Sequence, residues 1–343
     1  MKKLLSILLV ILMLFSLVAC AANSNNSKND STSDTKENKT DSNDSKNDNP
    51  SDTKEDKTYH IAVLSPTLSV AFPSDLQSGV LKAAEKYDNV KMTEVVYDMD
   101  LNKGVESIMN LVSQGIDAIV LHPMDNDAFN TAVDSAREAG VVVVTVDGTI
   151  NTDVDCAVSI DNYSSGLMAG DYAGDYLGGK GEALVISAEP GNLTMMQRNK
   201  GFLDGLANYP DIKVTEVMGD HSGGTAEFAN TIENALNANP DLDVIIANYS
   251  DCVYGALSVI ESNPAKYGDV KVMGFDADDA IIESLKSGDT PLIGTIVQFP
   301  KVIGRVGLET AVAILNGESV EETVGTEVGL VTLENVSSFE MKD

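Results

Sequence analysis

Basic residues are scarce in this chain. Lysine and arginine number 23 against 53 aspartates and glutamates, a formal net charge of −30 over 343 residues. A surface of that sign repels nucleic acid and anionic lipid headgroups, which excludes a nucleic-acid-binding role. Cysteine is scarcer still, with three residues at positions 20, 156 and 252. Cys156 and Cys252 lie in different halves of the chain at no metal-like spacing, and are expected as free, partly buried thiols rather than a disulfide. Histidine is limited to His60, His122 and His221. His122 falls in a strand-to-helix turn and His221 in a Gly-rich loop, neither with a triad partner or a metal-ligand spacing. No serine occupies a G-x-S-x-G elbow. The glycines of "LGGKGEALVI" precede a strand rather than follow one, so they form no nucleotide loop. In "DMDLNKG" (Asp98–Gly104) the glycine comes one place late for a calcium loop and the twelfth position is Met109; a strand end followed by a helix cap is the better reading. No enzyme chemistry, metal or cofactor is expected.

Long hydrophobic runs are also lacking, with one exception at the start. Met1-Lys2-Lys3 precedes an apolar run from Leu4 to Ala19 that stops at Cys20. Two lysines before a short apolar segment are the parts of an export signal, and the run is shorter than the roughly 20 apolar residues of a membrane span. Leu17-Val18-Ala19-Cys20 resembles the lipobox of bacterial lipoproteins. That resemblance implies cleavage after residue 19 and a diacylglycerol on the Cys20 thiol; the alternative is an ordinary signal peptide with Cys20 incidental. Residues 21–58 hold nothing more hydrophobic than alanine and cannot bury enough apolar surface to offset chain entropy. Within them Asp34–Thr40 returns as Asp52–Thr58 with one change. A flexible chain of that length spans about 35 Å, at roughly 5–6 Å times the square root of residue number, enough to tether a domain clear of lipid.

The remainder, Tyr59–Asp343, is too long for one typical core and fits two lobes. Short β-rich runs alternate with helical patterns. Strands are expected at Ile61–Ser65, Met92–Tyr97, Asp117–Leu121, Val141–Val146, Ala157–Ile160, Ala183–Ser187, Val214–Met218, Val244–Ala247, Val270–Gly274 and Leu292–Val297. Helices are expected between most of them, as at Leu76–Lys86, Gly104–Gln114 and Ala226–Asn237. "IVLHPMD" and "VVVVTVDG" are nearly uninterrupted apolar strands, the pattern of a sheet covered on both faces. The class is therefore α/β, with two doubly wound parallel sheets. Ligands of such sheets bind beyond the carboxyl ends of the strands. There the chain offers residues 65–72, Asp147, Asn248 to Asp251, Asp276 and Gln298. Carboxylates, amides and an aromatic suit a polyhydroxylated molecule, although Asp and Asn also follow strands as turn and cap residues.

The segments "IAVLSPTLSVAF", "GIDAIVLHPMDNDAF", "VVVVTVDG", "IDNYSSGLMAGDYAGDYL", "QRNKGFLDGL", "VMGFDADDAIIESLKSGD" and "GTIVQFPKVIGRVGLETAVAILNGE" resemble, in order, the type I periplasmic binding proteins of the ribose-binding group. The resemblance runs from about His60 to Leu333. It implies two Rossmann-like lobes joined by a three-strand hinge, with the ligand in the cleft between them. It places residues 59–160 plus 299–327 in the N-terminal lobe and 161–298 plus 328–336 in the C-terminal lobe. It implies a monomer that captures a monosaccharide or polyol and delivers it to the permease of an ABC importer. Lipid on Cys20 would hold it at the outer face of the cell membrane. The same module could instead present its ligand to a membrane sensor or chemoreceptor.

Carried over by position, the resemblance implies that Phe72 covers a ring face, that Asp147, Arg198 and Asp276 make charged hydrogen bonds, and that Gln298 bridges near the hinge. Other positions depart from the ribose pattern. Val70 stands where an asparagine is usual, Gly148 replaces an arginine, and Gly223 falls roughly where an aromatic sits. Tyr249 occupies an asparagine position, with Asn248 and Asp251 beside it. Gly148 is expected to leave room, and Tyr249 to add a second stacking face. These departures imply a ligand other than ribose: another monosaccharide, a deoxy or polyol relative, or a small glycoside.

Overall fold

The computed structural model describes residues 57–187, 191–219 and 224–342. The export signal, Cys20 and nearly all of the polar tract lie outside them, as do His221 and Gly223. The chain opens with β1 (Tyr59–Ser65), α1 (Ala71–Ala84), β2 (Val90–Val96) and α2 (Leu101–Ser113). It continues through β3 (Ala118–Leu121), α3 (Asn130–Glu138), β4 (Val142–Val146) and β5 (Cys156–Ser159). Then follow α4 (Asn162–Tyr176), β6 (Lys180–Ser187), α5 (Leu193–Leu206), β7 (Asp211–Met218) and α6 (Gly224–Ala238). The next elements are β8 (Val244–Ile246), α7 (Ser250–Ser262), α8 (Pro264–Tyr267), β9 (Lys271–Phe275) and α9 (Asp279–Ser287). The last are β10 (Leu292–Gln298), α10 (Pro300–Leu315), β11 (Thr323–Gly325) and β12 (Val328–Thr332).

These strands form two six-stranded sheets, ordered β11-β5-β4-β3-β1-β2 and β12-β10-β9-β8-β6-β7. Apart from the edge strand the two orders are the same winding, each reversing direction beside its first strand. All pairings are parallel except that of β12, which runs antiparallel to β10. The fold is two α/β lobes with doubly wound sheets, and each of the ten strands expected from the apolar pattern has a counterpart. Two further strands, β11 and β12, lie outside the expected set, and the three residues of β11 form no apolar run. The chain passes between the sheets three times: from β5 into α4, from β10 into α10, and from β11 to β12.

The continuous apolar strands follow from burial on both faces. In β1, Ile61 and Val63 pack with Leu76 and Val80 of α1 and Ile303 and Leu308 of α10. Ala62 and Leu64 face the other way, toward Ile108 and Leu111 of α2 and Val133 and Ala136 of α3. The second sheet repeats this, with Ala183 and Val185 on one face and Leu184 and Ile186 on the other. Each fully buried Val, Leu or Ile contributes about 1.5–3 kcal/mol relative to exposure. The thiols of Cys156 and Cys252 are buried and free, in separate lobes. The acidic loop before α2 is a helix cap, for Asp100 accepts from the amides of Asn102 (3.0 Å) and Lys103 (3.2 Å).

Candidate functional site

Beyond the carboxyl ends of the strands the lobes enclose a cleft of about 280 Å³. That lies near the lower end of the range for small-ligand sites, about 300–1,000 Å³. Phe72, Asp147, Arg198, Tyr249, Asp276 and Gln298 all line it.

Asp147 is the residue after β4 and Asp276 the residue after β9. Both have left-handed backbones, with φ of 64° and 70°, a conformation that aspartate tolerates better than most residues. Each amide donates to the neighbouring strand, Asp147 to Val158 O (2.9 Å) and Asp276 to Ile296 O (2.7 Å). The sheet edge therefore fixes the turn that presents each carboxylate.

Arg198 comes from α5 and is 2 % exposed. Its placement depends on how closely α5 approaches α4. Gly166 of α4 lies against the Arg198 backbone, and a Cβ there would stand 2.2 Å from Arg198 O. The guanidinium stacks on Phe275, 4.1 Å from the ring centroid, and its Nε donates to Asn162 Oδ1 (2.8 Å). Nη1 lies 3.8 Å from Asp276 Oδ2. Gln298 ends β10 and donates through Nε2 to Asp276 Oδ1 (2.6 Å).

The two carboxylates sit in different fields. Burial pushes the Asp147 carboxyl upward, but the His122 hydrogen bond and the charges of His122 and Arg198 outweigh it and hold the group below the usual carboxylate range. For Asp276 burial prevails over Arg198 and the Gln298 hydrogen bond, and the charge of Asp147 adds to it, so the group is raised.

Aromatic groups flank this polar floor. Phe72 stands in the first turn of α1, its ring 6.2 Å from that of His122 at 63°. Tyr249 packs edge-on against Phe228 at 5.3 Å. Val70, Met99, Met124 and Met195 give the lining an apolar side.

A hydrogen bond among the described residues links the lobes directly. Asn126, in the loop after β3, accepts through Oδ1 from the Leu193 amide at the start of α5 (2.7 Å). Its Nδ2 donates to Thr149 O in its own lobe (2.8 Å).

Several expectations need correction. Gly148 leaves no room, because a Cβ there would lie 2.7 Å from Pro123 O and 3.0 Å from Pro123 Cγ; proline fills the space. Asn248 does not line the cleft. Its Nδ2 donates to Met195 O (3.4 Å) and to Asn199 Oδ1, and its carbonyl accepts from Arg198. Asp251 does line it, and accepts from Thr225 Oγ1 (2.7 Å). His122 was not among the expected site residues, yet it lines the cleft and its Nε2–H donates to Asp147 Oδ2 at 3.2 Å. Positions 122 and 147 each follow the end of a strand, and β3 pairs with β4, so strand adjacency was the signal that could have found the pair. Asn192, Thr194 and Met195, at the start of α5, were also missed.

Residues 61–319 match the family described as the periplasmic binding protein domain. The ribose import binding protein of Bacillus subtilis is 31% identical over 280 residues, covering 80% of this chain and 87% of that protein. A xylitol-binding protein of Mycolicibacterium smegmatis is 28% identical over 253 residues, covering 73% of this chain and 71% of that one. The crystal structure of an ABC transporter solute-binding protein from Actinobacillus succinogenes with bound D-allose superposes with a TM-score of 0.74. It is 26% identical and covers 82% of this chain and 100% of its own. With the same two-lobed winding and a family match over most of its length, the chain belongs to the periplasmic binding protein family.

Proposed function

We propose that this protein captures a monosaccharide or related polyol outside the cytoplasm and delivers it to an ABC importer, acting as a binding protein and not an enzyme. The observation that carries the reading is the meeting of Asp147, Arg198, Asp276 and Gln298 at one buried floor, with Phe72 and Tyr249 beside it. Asp147 Oδ1 and Gln298 Oε1 are buried acceptors with no hydrogen-bonding partner among the described residues. A buried acceptor left unpaired costs about 1–3 kcal/mol, and ligand hydroxyls are the donors that would satisfy both. The relatives' names and bound molecules (ribose, xylitol, D-allose) are all polyhydroxylated.

The ligand differs from ribose, since Val70, the blocked position 148 and Tyr249 remove donors and add apolar surface. The protein works as a monomer. Its lobes, residues 59–160 plus 299–327 and 161–298 plus 328–336, close as rigid bodies about the three crossings. Cys20 carries a lipid that holds the domain at the outer face of the membrane on its polar tether. No helix of the described residues is long and apolar enough to cross a membrane.

A thermal-shift screen of pentoses, hexoses, polyols and nucleosides tests the substrate class. Stabilisation rising with the logarithm of ligand excess is expected for a sugar or polyol; a hit confined to nucleosides or amino acids would overturn it. Tight binding of D-ribose alone would overturn the altered specificity. For the anchor, Cys20→Ser should release the protein into the medium or leave uncleaved precursor, and unchanged membrane retention with normal processing would refute it.

A further inference from the structure

The cleft is polar at its floor and apolar at its mouth. Arg198 and Gln298 are each 2 % exposed and Asp276 is 9 % exposed, whereas Val70 and Met99, which line the same cleft, are 43 % and 54 % exposed. Both of these come from the N-terminal lobe, and the half-buried Met195 and Tyr249 line the cleft from the other. Polar side chains of the same loops are engaged within the protein. Thr67 Oγ1 and Ser69 Oγ hydrogen-bond each other (2.8 Å), Asn192 accepts from the Met195 amide (3.1 Å), and Asp251 accepts from Thr225. The acceptors without a partner, Asp147 Oδ1 and Gln298 Oε1, are buried.

Met99 is held at the mouth by its backbone. In Asp98-Met99-Asp100, after β2, the first two residues both have left-handed φ, 52° and 61°. A methionine seldom adopts that conformation, and residues so placed cluster at ligand clamps. The turn is fixed where Tyr97 N donates to Ser65 O (3.0 Å) and Met99 N to Pro66 O (2.8 Å). Asp98 pairs with Lys103 and Asp100 caps α2, so of the three side chains it is Met99 that lines the cleft. Asn126 already joins the lobes while Val70 and Met99 stay exposed. A group lying between them can therefore project outward without separating the lobes.

We propose that the mouth of the cleft is a subsite for an apolar substituent, and that the ligand is a glycoside whose sugar lies on the polar floor and whose short alkyl or aryl group meets Met99 and Val70. The subsite rests on the polyol-binding reading above and narrows it. Hydroxyls on the floor meet charged groups and unpaired acceptors. A hydroxyl at the mouth meets methionine and valine, and gains nothing there over its hydration. An alkyl or aryl group in that place covers apolar surface on ligand and protein together, and each methylene buried is worth up to about fourfold in affinity. Methionine, unbranched and polarisable, adapts to groups of different shape.

The test is titration calorimetry with D-ribose, D-xylose, D-glucose and D-galactose, each beside its methyl, propyl and phenyl glycosides in both anomers. The proteins are the wild type, Met99→Asn, Met99→Leu and Val70→Ser. Asparagine suits a left-handed backbone and removes the apolar surface, whereas leucine keeps that surface. In the wild type at least one sugar should gain about fivefold or more in affinity from its propyl or phenyl group. That gain should fall to about twofold or less in Met99→Asn and return in Met99→Leu. Two results would overturn the subsite and leave the polyol reading standing: sugars that bind with no substituent improving any of them, or a gain unaltered in both Met99→Asn and Val70→Ser. If neither sugars nor glycosides bind the wild type, the polyol reading falls first and the subsite with it.

Discussion

Asp147 and Asp276 occupy matching places in the two lobes. Each follows the strand at the same position in its sheet, each has a left-handed backbone, and each donates its amide to the adjacent strand. The carboxyls nevertheless shift in opposite directions, Asp147 downward and Asp276 upward. Backbone position is therefore not what sets the charge. Asp147 keeps the His122 ring within its own lobe as well as the field of Arg198. Asp276 has one guanidinium at 3.8 Å and a neutral amide, and these do not offset its burial. Repeating a fold twice in one chain supplies two equivalent sockets, and the neighbours make one a settled anion and the other a strained one.

The strongest test of this comparison is to remove the cation both sockets share. Arg198→Ala should push both carboxyls upward and leave the asymmetry standing, because His122 still holds Asp147 while Asp276 loses its main counter-charge. Breaking a buried pair costs about 3–5 kcal/mol, so the variant should unfold at clearly lower urea and bind its best polyol at least roughly tenfold more weakly. Wild-type affinity in this variant would remove Arg198 from the site.

Neutralising the sockets one at a time sharpens the contrast. Asp147→Asn and Asp276→Asn should each weaken binding by about tenfold, or about 1.4 kcal/mol, yet move the stability of the ligand-free protein in opposite directions. A lowered folded value means that Asp147 contributes stability above the ordinary carboxylate value of about 4, and that this is lost as pH falls through the folded value. Asp147→Asn should therefore lower the melting temperature at neutral pH. A raised folded value means that charged Asp276 opposes the fold at neutral pH, a penalty relieved as pH falls through the raised value toward about 4. Asp276→Asn should raise the neutral-pH melting temperature. Shifts of the same sign in both variants would refute the account.

The smallest expected effect lies between the lobes. Asn126→Ala removes the hydrogen bond that spans the cleft without touching either carboxylate. One neutral hydrogen bond is worth about 0.5–1.5 kcal/mol, so affinity for every probe should fall by about threefold to tenfold, with the order of preference kept. Small-angle scattering should show a larger radius of gyration at subsaturating ligand. A changed order of preference would mean that Asn126 meets the ligand rather than the opposite lobe.

The sheets were legible because burial on both faces writes long apolar runs into strands such as β4 and β6. The strands β11 and β12 were not, since Thr323-Val-Gly325 lies at an edge where one neighbour suffices and no run is required. Phe72, Asp147, Arg198, Tyr249, Asp276 and Gln298 could be drawn toward one cleft by the rule that ligands sit beyond strand ends and by the family resemblance. His122 escaped because its partner is distant in sequence and lies on the next strand, a relation visible only once strand order is known. The room expected at Gly148 depended on Pro123, whose backbone oxygen no sequence pattern locates. Asn248 looked like a ligand amide by position, yet it serves to hold Met195 and Asn199 in place.

The three passages between the sheets also govern how the molecule can be made. The first sheet receives β1 to β5 early, but its edge strand β11 is Thr323–Gly325 and its covering helix α10 begins only at Pro300. The second sheet is completed by β12, a few residues later. Neither lobe is a continuous piece of chain, so a ribosome that has finished Gln298 has made almost all of one lobe and has closed neither. Native pairing must bring residues near 157 to residues near 323, and contacts that distant in sequence form slowly. The polypeptide thus stays open until synthesis is nearly over, and a chain in that condition can still be threaded through a narrow pore.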